Sequence, residues 1–338
     1  MNALKNNSTY LGELPIIKVI GVGGAGKFAL NRMINSGMAN VKFIAIDFYD
    51  FCLADSKAHT KLVLEQIHVY WPEGEFGELN RECKHESALD GRELIKTAIG
   101  QADIVFIIAG MGGGTGSGVA PVIAEVAKEM DVLTIGVVTT PFIFEGQSRL
   151  RVAWKRIEDL NRYADTLIII PGEAIVKSSG EKTGVDKAFQ AADEYLYSVV
   201  QSLVDLIRGP YLCLVGDDFV TPLLRSETGK ATTGIMGIGY ASGENRAIKA
   251  AQMALSSPLL DQPVKAAKIV LFDCRVVPDC KLIEINNIAD KIKEQSNPNA
   301  NVIWETTLVQ NPKNEIEVIM FCLYNDNQGL ADGGKYGE

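Results

Sequence analysis

The chain has 338 residues, 47% of them hydrophobic and 22% charged, enough for two domains with ordinary cores. Its formal net charge of −9 argues against broad electrostatic binding to nucleic acid or to an anionic membrane surface. No apolar run approaches the ~20 residues that span a bilayer, and the polar stretch from Met1 to Pro15 lacks the apolar core of a signal peptide. A cytoplasmic protein without direct membrane insertion is expected.

In chain order, a strand pattern from Ile16 to Val22 runs into Gly23-Gly24-Ala25-Gly26, after which Phe28, Leu30, Met33 and Ile34 are spaced for one apolar helix face. A second apolar run, Val41 to Ile46, ends at Asp47. Asp55 to Glu86 is charged, carries the turn signal Trp71-Pro72-Glu73-Gly74, and reads as loop-rich. A buried strand, Ile104 to Ala109, leads into a glycine cluster and a helix from Val119 to Glu129. Val132 to Thr139 and Thr166 to Ile170 are further apolar strands. Apolar strands alternating with helices predict a mainly parallel sheet covered on both faces. Val185 to Ile207 keeps helical spacing until Gly209-Pro210 stops it. Beyond it, helices near Glu244 to Ala254 and Ile285 to Glu294 alternate with strands at Lys268 to Phe272, Val302 to Leu308 and Glu315 to Leu323. That pattern is a second, smaller α/β unit.

Six cysteines without Cys-x-x-Cys spacing, and only three histidines, argue against a zinc site, so no metal-ligating cluster is expected and the thiols are read as reduced and structural.

Two glycine turns carry the chemistry. Gly21 to Lys27 lies between a strand and a helix, where glycines let backbone amides approach a phosphate at a helix amino terminus. Alone it is ambiguous. It fits G-x-G-x-x-G, with Asp47 where a dinucleotide fold holds its ribose. It also nearly fits a P-loop, except that Phe28 stands where a hydroxyl would hold Mg2+, and a tight packing turn is a third reading. The second turn, Gly110 to Gly118, has six glycines in nine residues together with the hydroxyls of Thr115 and Ser117. Such density would weaken any regular element. It suits a place where consecutive amides turn toward one ligand, so the two turns are expected to converge on one phosphate chain. A dinucleotide-dependent enzyme needs no second turn and is demoted.

Gly110 to Gly118 is similar to the signature loop of the tubulin superfamily, and Lys18 to Met33 resembles the first phosphate loop of its FtsZ branch. Pro141 to Gly146 with Arg149 resembles another FtsZ loop, and Met236 to Asp261 is similar to the FtsZ second domain. The resemblance implies a Rossmann-like parallel-sheet GTPase domain over 1–209, including a central helix at 184–208. It further implies a smaller α/β C-terminal domain over 210–325 and a disordered tail over 326–338. It implies GTP/GDP as ligand, with Mg2+ as a further candidate. The phosphates would be held by Gly23, Gly24, Ala25, Gly26, Lys27, Gly110, Gly112, Gly113, Gly114, Thr115 and Gly116. Glu145 and Arg149 would contact ribose and phosphates, although an ordinary helical ion pair is the plain alternative for residues four apart. Phe189 would stack on guanine and Asp193 would accept its N–H groups, chemistry a ring face and a carboxylate can supply; without the resemblance Phe189 reads as a core residue.

The sequence also departs from the family. Phe28 replaces a nucleoside-binding asparagine, Asp47-Phe48-Tyr49 replaces Asn-Thr-Asp, and Pro171-Gly172-Glu173 replaces Pro-Asn-Asp. Trp71 to Asn80 stands in place of the Gly-Ala-rich loop around the terminal phosphate. In FtsZ an Asn-x-Asp-x-x-Asp motif enters the next subunit's site and polarises the attacking water. Here the matching stretch is Leu214 to Phe219, with Leu, Gly and Phe at the three functional positions. Asp217 and Asp218 lie one residue away and are the candidate catalytic acids of a re-registered loop. Because positioning dominates phosphoryl transfer, slow or absent hydrolysis is expected. The implied partner is another copy of the chain, head to tail in a filament, with a standard FtsZ as a second candidate. The alternatives are an active self-assembling GTPase using Asp217 or Asp218, and a non-polymerising regulator of FtsZ filaments.

Overall fold

The structure, a computed structural model, describes residues 14–64, 78–180, 183–208, 217–226, 228–310 and 313–324. Trp71 to Gly77, Leu214 to Gly216 and the tail from Asn325 lie outside them.

The first half alternates strands and helices: β1 (Ile17–Val22), α1 (Gly23–Asn35), β2 (Lys42–Asp47), α2 (Asp50–Leu53), β3 (Thr60–Val63), α3 (Glu78–Asp90), α4 (Arg92–Ile99), β4 (Ile104–Gly110), α5 (Gly114–Glu129), β5 (Leu133–Thr139), α6 (Gln147–Asn161), β6 (Thr166–Ile170) and α7 (Gly172–Ser179). The long helix α8 (Val185–Arg208) follows. Then come α9 (Asp217–Leu224), β7 (Thr232–Ala241), α10 (Arg246–Leu255), β8 (Ile269–Val276), α11 (Leu282–Gln295), β9 (Asn301–Leu308) and β10 (Ile316–Tyr324).

The strands form one sheet in the order β3-β2-β1-β4-β5-β6-β7-β10-β8-β9. It is parallel from β3 to β7, antiparallel on both sides of β10, and parallel again between β8 and β9. β4 and β5 are buried along nearly their whole length because helices cover both faces, as their unbroken apolar runs predict. α8 presents Leu196, Val199, Val200, Leu203 and Ile207 to the core that joins the two halves. The central helix and the α/β plan of both halves follow the expectation.

Three expectations are corrected. The stretch read as loop-rich contains β3 and the helix α3, whose surface is too charged to show a periodic apolar face. The helices after both glycine turns begin inside the glycine clusters, at Gly23 and Gly114, so those glycines form the first helical turns. Phe28 does not join the buried face of α1: it is 52% exposed, whereas Leu30 and Met33 are buried. β7 went unseen because Gly234, Gly237 and Gly239 make it read as loop. Gly237 and Gly239 let α10 lie on the strand, since a Cβ at Gly237 would come within 2.3 Å of the Ala254 carbonyl oxygen and one at Gly239 within 2.1 Å of that of Ala250.

Among the described residues no helix is long and apolar enough to cross a membrane. None of their His, Cys, Asp and Glu side chains gather into a metal-holding group, and Cys52, Cys274, Cys280 and Cys322 are not joined in disulfides.

Candidate functional site

The chain leaves β1 toward β2 and β3 on one side and returns through β4 toward β5 and β6 on the other. The carboxyl ends of β1 and β4 are therefore a topological switch point, where open α/β sheets place ligands. Val22 and Ala109 are register partners, so both glycine turns leave the sheet side by side. Gly23 takes φ +68°, and a Cβ there would approach Thr115; a Cβ at Gly110 would come within 2.8 Å of the Ala25 Cβ. Each turn thus makes room for the other, and the first amides of α1 and α5 face the same space.

That space is a cavity of about 420 Å³. Gly23, Gly24, Ala25, Gly110, Gly113, Gly114, Thr115 and Gly116 line one end. Phe189 and Asp193 from the first turns of α8, together with Phe28, line it as well, and Glu145 and Arg149 belong to its wall. A phosphate chain at the glycine turns would meet helix amino-terminal amides and the positive ends of two helix dipoles.

Three of the expected ligand residues stand behind this lining. Gly26 is buried against the strands, where a Cβ would lie 2.6 Å from the Ile108 carbonyl oxygen, so its role is close helix–sheet packing. The amide of Gly112, at φ +90°, donates to Ser117 Oγ at 2.7 Å and shapes the turn from within. The ammonium of Lys27 pairs with Asp55 at 2.6 Å, and the residue is only 9% exposed. It anchors α1 to the loop after α2.

At the far end, Phe189 is 46% exposed, which is not how a core residue sits. Its ring is perpendicular to Phe142 at 5.1 Å, and Phe142 stacks on Phe144 at 5.2 Å, so the half-exposed Phe189 ring joins an aromatic group at this end of the cavity. Burial lifts the carboxyl of Asp193 to a pKa of about 6, with Arg32 opposing the shift. Glu145 and Arg149 form the i,i+4 ion pair at 2.7 Å, and Glu145 also accepts the Phe142 amide at 2.9 Å. They therefore serve each other while facing the cavity. Asp217 and Asp218 open α9; their side chains fall outside the described part.

Sequence reasoning missed a cluster behind Thr115. Lys84, on α3, donates to Thr115 Oγ1 at 3.0 Å and lies over the rings of Phe48 (5.2 Å) and Tyr49 (5.8 Å). Asp47 is buried, accepting the Phe48 amide at 2.8 Å and the Thr115 hydroxyl at 3.5 Å. A chain stretch with no apolar period gave no signal that a lysine there would reach the glycine turns. The donor set is poor for a resident Mg2+: Phe28 stands where a hydroxyl would be needed, and Asp47 is turned to the protein's own donors. A divalent ion using Thr115 would have to displace an ammonium.

A family model described as "Tubulin/FtsZ family, GTPase domain" matches residues 16–180, and one described as "FtsZ family, C-terminal domain" matches residues 231–322. Among solved structures, an FtsZ dimer from M. jannaschii is 32% identical with a TM-score of 0.84, over 95% of this chain and 92% of that one. A mutant of M. jannaschii FtsZ is 33% identical with a TM-score of 0.82, over 92% and 91%. CetZ2 from Haloferax volcanii, solved as a GTPγS-bound protofilament, is 17% identical with a TM-score of 0.75 over 95% and 97%, a likeness of fold. Proteins of the Tubulin/FtsZ family bind GTP or GDP and assemble into filaments. With its two glycine turns at one switch point and its match to FtsZ over nearly the whole length, the chain belongs to the Tubulin/FtsZ family.

Proposed function

We propose that this chain binds guanine nucleotide in the cavity between its two glycine turns and assembles head to tail into filaments, with the nucleotide at the contact between subunits. The observation that supports the reading best is the shared space at the ends of β1 and β4, with the half-exposed face of Phe189 and the carboxyl of Asp193 across it. The glycine turns hold the phosphates through backbone amides. Asp193 accepts the two N–H groups on one edge of guanine, and Phe189 stacks on its face. A head-to-tail contact of this kind does not close on itself, so it propagates.

Hydrolysis is slow in this reading. The family's asparagine position is Leu214 here and its two acid positions are Gly216 and Phe219, with Asp217 and Asp218 displaced by a residue. A shift of about 1 Å in the groups that place the water can cost 100-fold. The filament is then long-lived. Sedimentation of the purified chain with GTP, GDP or no nucleotide, alongside phosphate release, tests this. Pelleting that rises with GTP while phosphate appears slowly is expected. Protein that stays in the supernatant at every GTP concentration sinks the assembly claim, and pelleting only when a standard FtsZ is added would make it a regulator instead.

A further inference from the structure

We propose that Lys84 is the cation that holds the terminal phosphate of the bound nucleotide, standing in for much of the charge a divalent ion would bring; the inference rests on the guanine-nucleotide reading of the cavity. Thr115 lies in the first turn of α5 and lines the cavity at its glycine end, and the Lys84 ammonium is 3.0 Å from its hydroxyl oxygen. The ammonium is thus one hydroxyl away from where the last phosphate would meet the amides of Gly114, Thr115 and Gly116. Among the described residues no carboxylate comes within 4.0 Å of it. It rests instead over two aromatic faces, which attract a cation without neutralising it. Burial pushes the lysine below its ordinary range, with Asp47 opposing. A charge held in such a place favours an anionic ligand.

The other lysine near the turns does not compete for the role. Neither lysine lines the cavity itself, but Lys27 is neutralised by Asp55 at 2.6 Å, whereas Lys84 reaches the side chain of the lining residue Thr115. Arg149 stands beside the second glycine turn, its guanidinium 3.8 Å from where a Gly113 Cβ would lie, but it is already paired with Glu145 at 2.7 Å. The two glycine turns therefore offer the phosphate chain neutral amides, with the paired Arg149 beside Gly113, and α3 brings a positive charge without a carboxylate partner among the described residues to the Thr115 end. α3 packs directly against α5, and His85 Nδ1 meets the Gly118 carbonyl oxygen at 3.0 Å one residue along, fixing the height of the lysine. A nucleoside diphosphate would leave this end of the site empty, so Lys84 should select for the triphosphate.

The test is equilibrium binding of GTP and of GDP to the full chain, in Mg2+ and in EDTA, for the wild type, Lys84→Gln and Lys84→Arg, each checked for an unchanged thermal melt. Wild-type GTP affinity should fall less than about 10-fold on removing Mg2+. Lys84→Gln should lose about 10- to 100-fold for GTP in EDTA, the range for a hydrogen bond to a charged group, while GDP affinity moves less than about 3-fold by the same reasoning. Lys84→Arg should recover most of the loss. Equal losses for GTP and GDP, or no loss in a folded Lys84→Gln, would overturn the assignment and leave the nucleotide site standing. A wild type that binds neither nucleotide would instead remove the underlying reading.

Discussion

Gly24 separates the glycines that serve a ligand from those that serve packing. It is the second residue of α1, has an ordinary backbone conformation and lines the cavity, and a Cβ built on it meets no atom within 4 Å. Gly24→Ala therefore strains nothing in the unliganded protein. Alanine is favoured over glycine inside a helix by about 0.5–1 kcal/mol; the first turn should realise part of that, a rise of about 1–3 °C in melting temperature. The same methyl projects into the space where a phosphate must approach the amides. Losing hydrogen bonds to a charged group costs about 1.5–3 kcal/mol, or about 10- to 100-fold in affinity. Gly26→Ala is the opposite case, since its Cβ would lie 2.6 Å from the Ile108 carbonyl oxygen and 2.7 Å from the Gly21 carbonyl carbon. It should lower the melting temperature, by about 1–3 kcal/mol of overpacking. Differential scanning fluorimetry without ligand and titration of a fluorescent GTP analogue read both effects. A Gly24→Ala protein that melts early, or one that binds the analogue as tightly as the wild type, would refute the reasoning.

Two further outcomes follow from buried carboxyl groups. Asp193 must be ionised to accept both guanine N–H groups, and its pKa in the unliganded protein is about 6. GTP affinity should thus weaken as pH falls through 6, and Asp193→Asn should remove that dependence along with most of the binding; binding curves between pH 5 and 8 decide it. At the seam between α8 and the second half of the sheet, Arg275 faces three carboxyl groups, Asp205, Asp273 and Glu317. Burial, with Asp273 and Asp205 nearby, lifts Glu305 to about 8. Because the folded value exceeds the ordinary 4.5, the folded state holds the extra proton between those values, and the stability this contributes is lost as pH rises toward 8. Glu305→Gln should stabilise the protein at pH 8, on the order of 2 kcal/mol, and change little at pH 5. Identical melts at both pH values would contradict this.

Much of the parallel half was legible because its strands are unbroken apolar runs, and such runs have few other homes than a doubly covered sheet. α8 was legible for a similar reason, since its buried stripe repeats over its whole length. β7 was not, because the glycines that let α10 approach it erase the strand signal. α3 was not, because the side chains it turns to α5 include polar Lys84 and His85 and small Ser87 and Ala88, which make no apolar period. At the site, the density of glycine in Gly110–Gly118 pointed to an amide-lined turn. It could not say which glycines face the ligand: Gly26 and Gly112 have the same side chain as Gly24 and Gly113 but are set by neighbours distant in sequence. Lys27 misled for a comparable reason, as its partner Asp55 lies in the loop after α2. Lys84 was invisible because its meaning comes only from the contact of α3 with α5.

A high-resolution reconstruction of assemblies grown from the purified chain in GTP would examine the whole proposal at once. The phosphates should lie against Gly24 and Gly114 to Gly116, the base on Phe189 beside Asp193, and the start of α9 from the adjacent copy over the opening. A nucleotide found elsewhere in the chain, or one whose pocket stays open to solvent in the assembly, would contradict it.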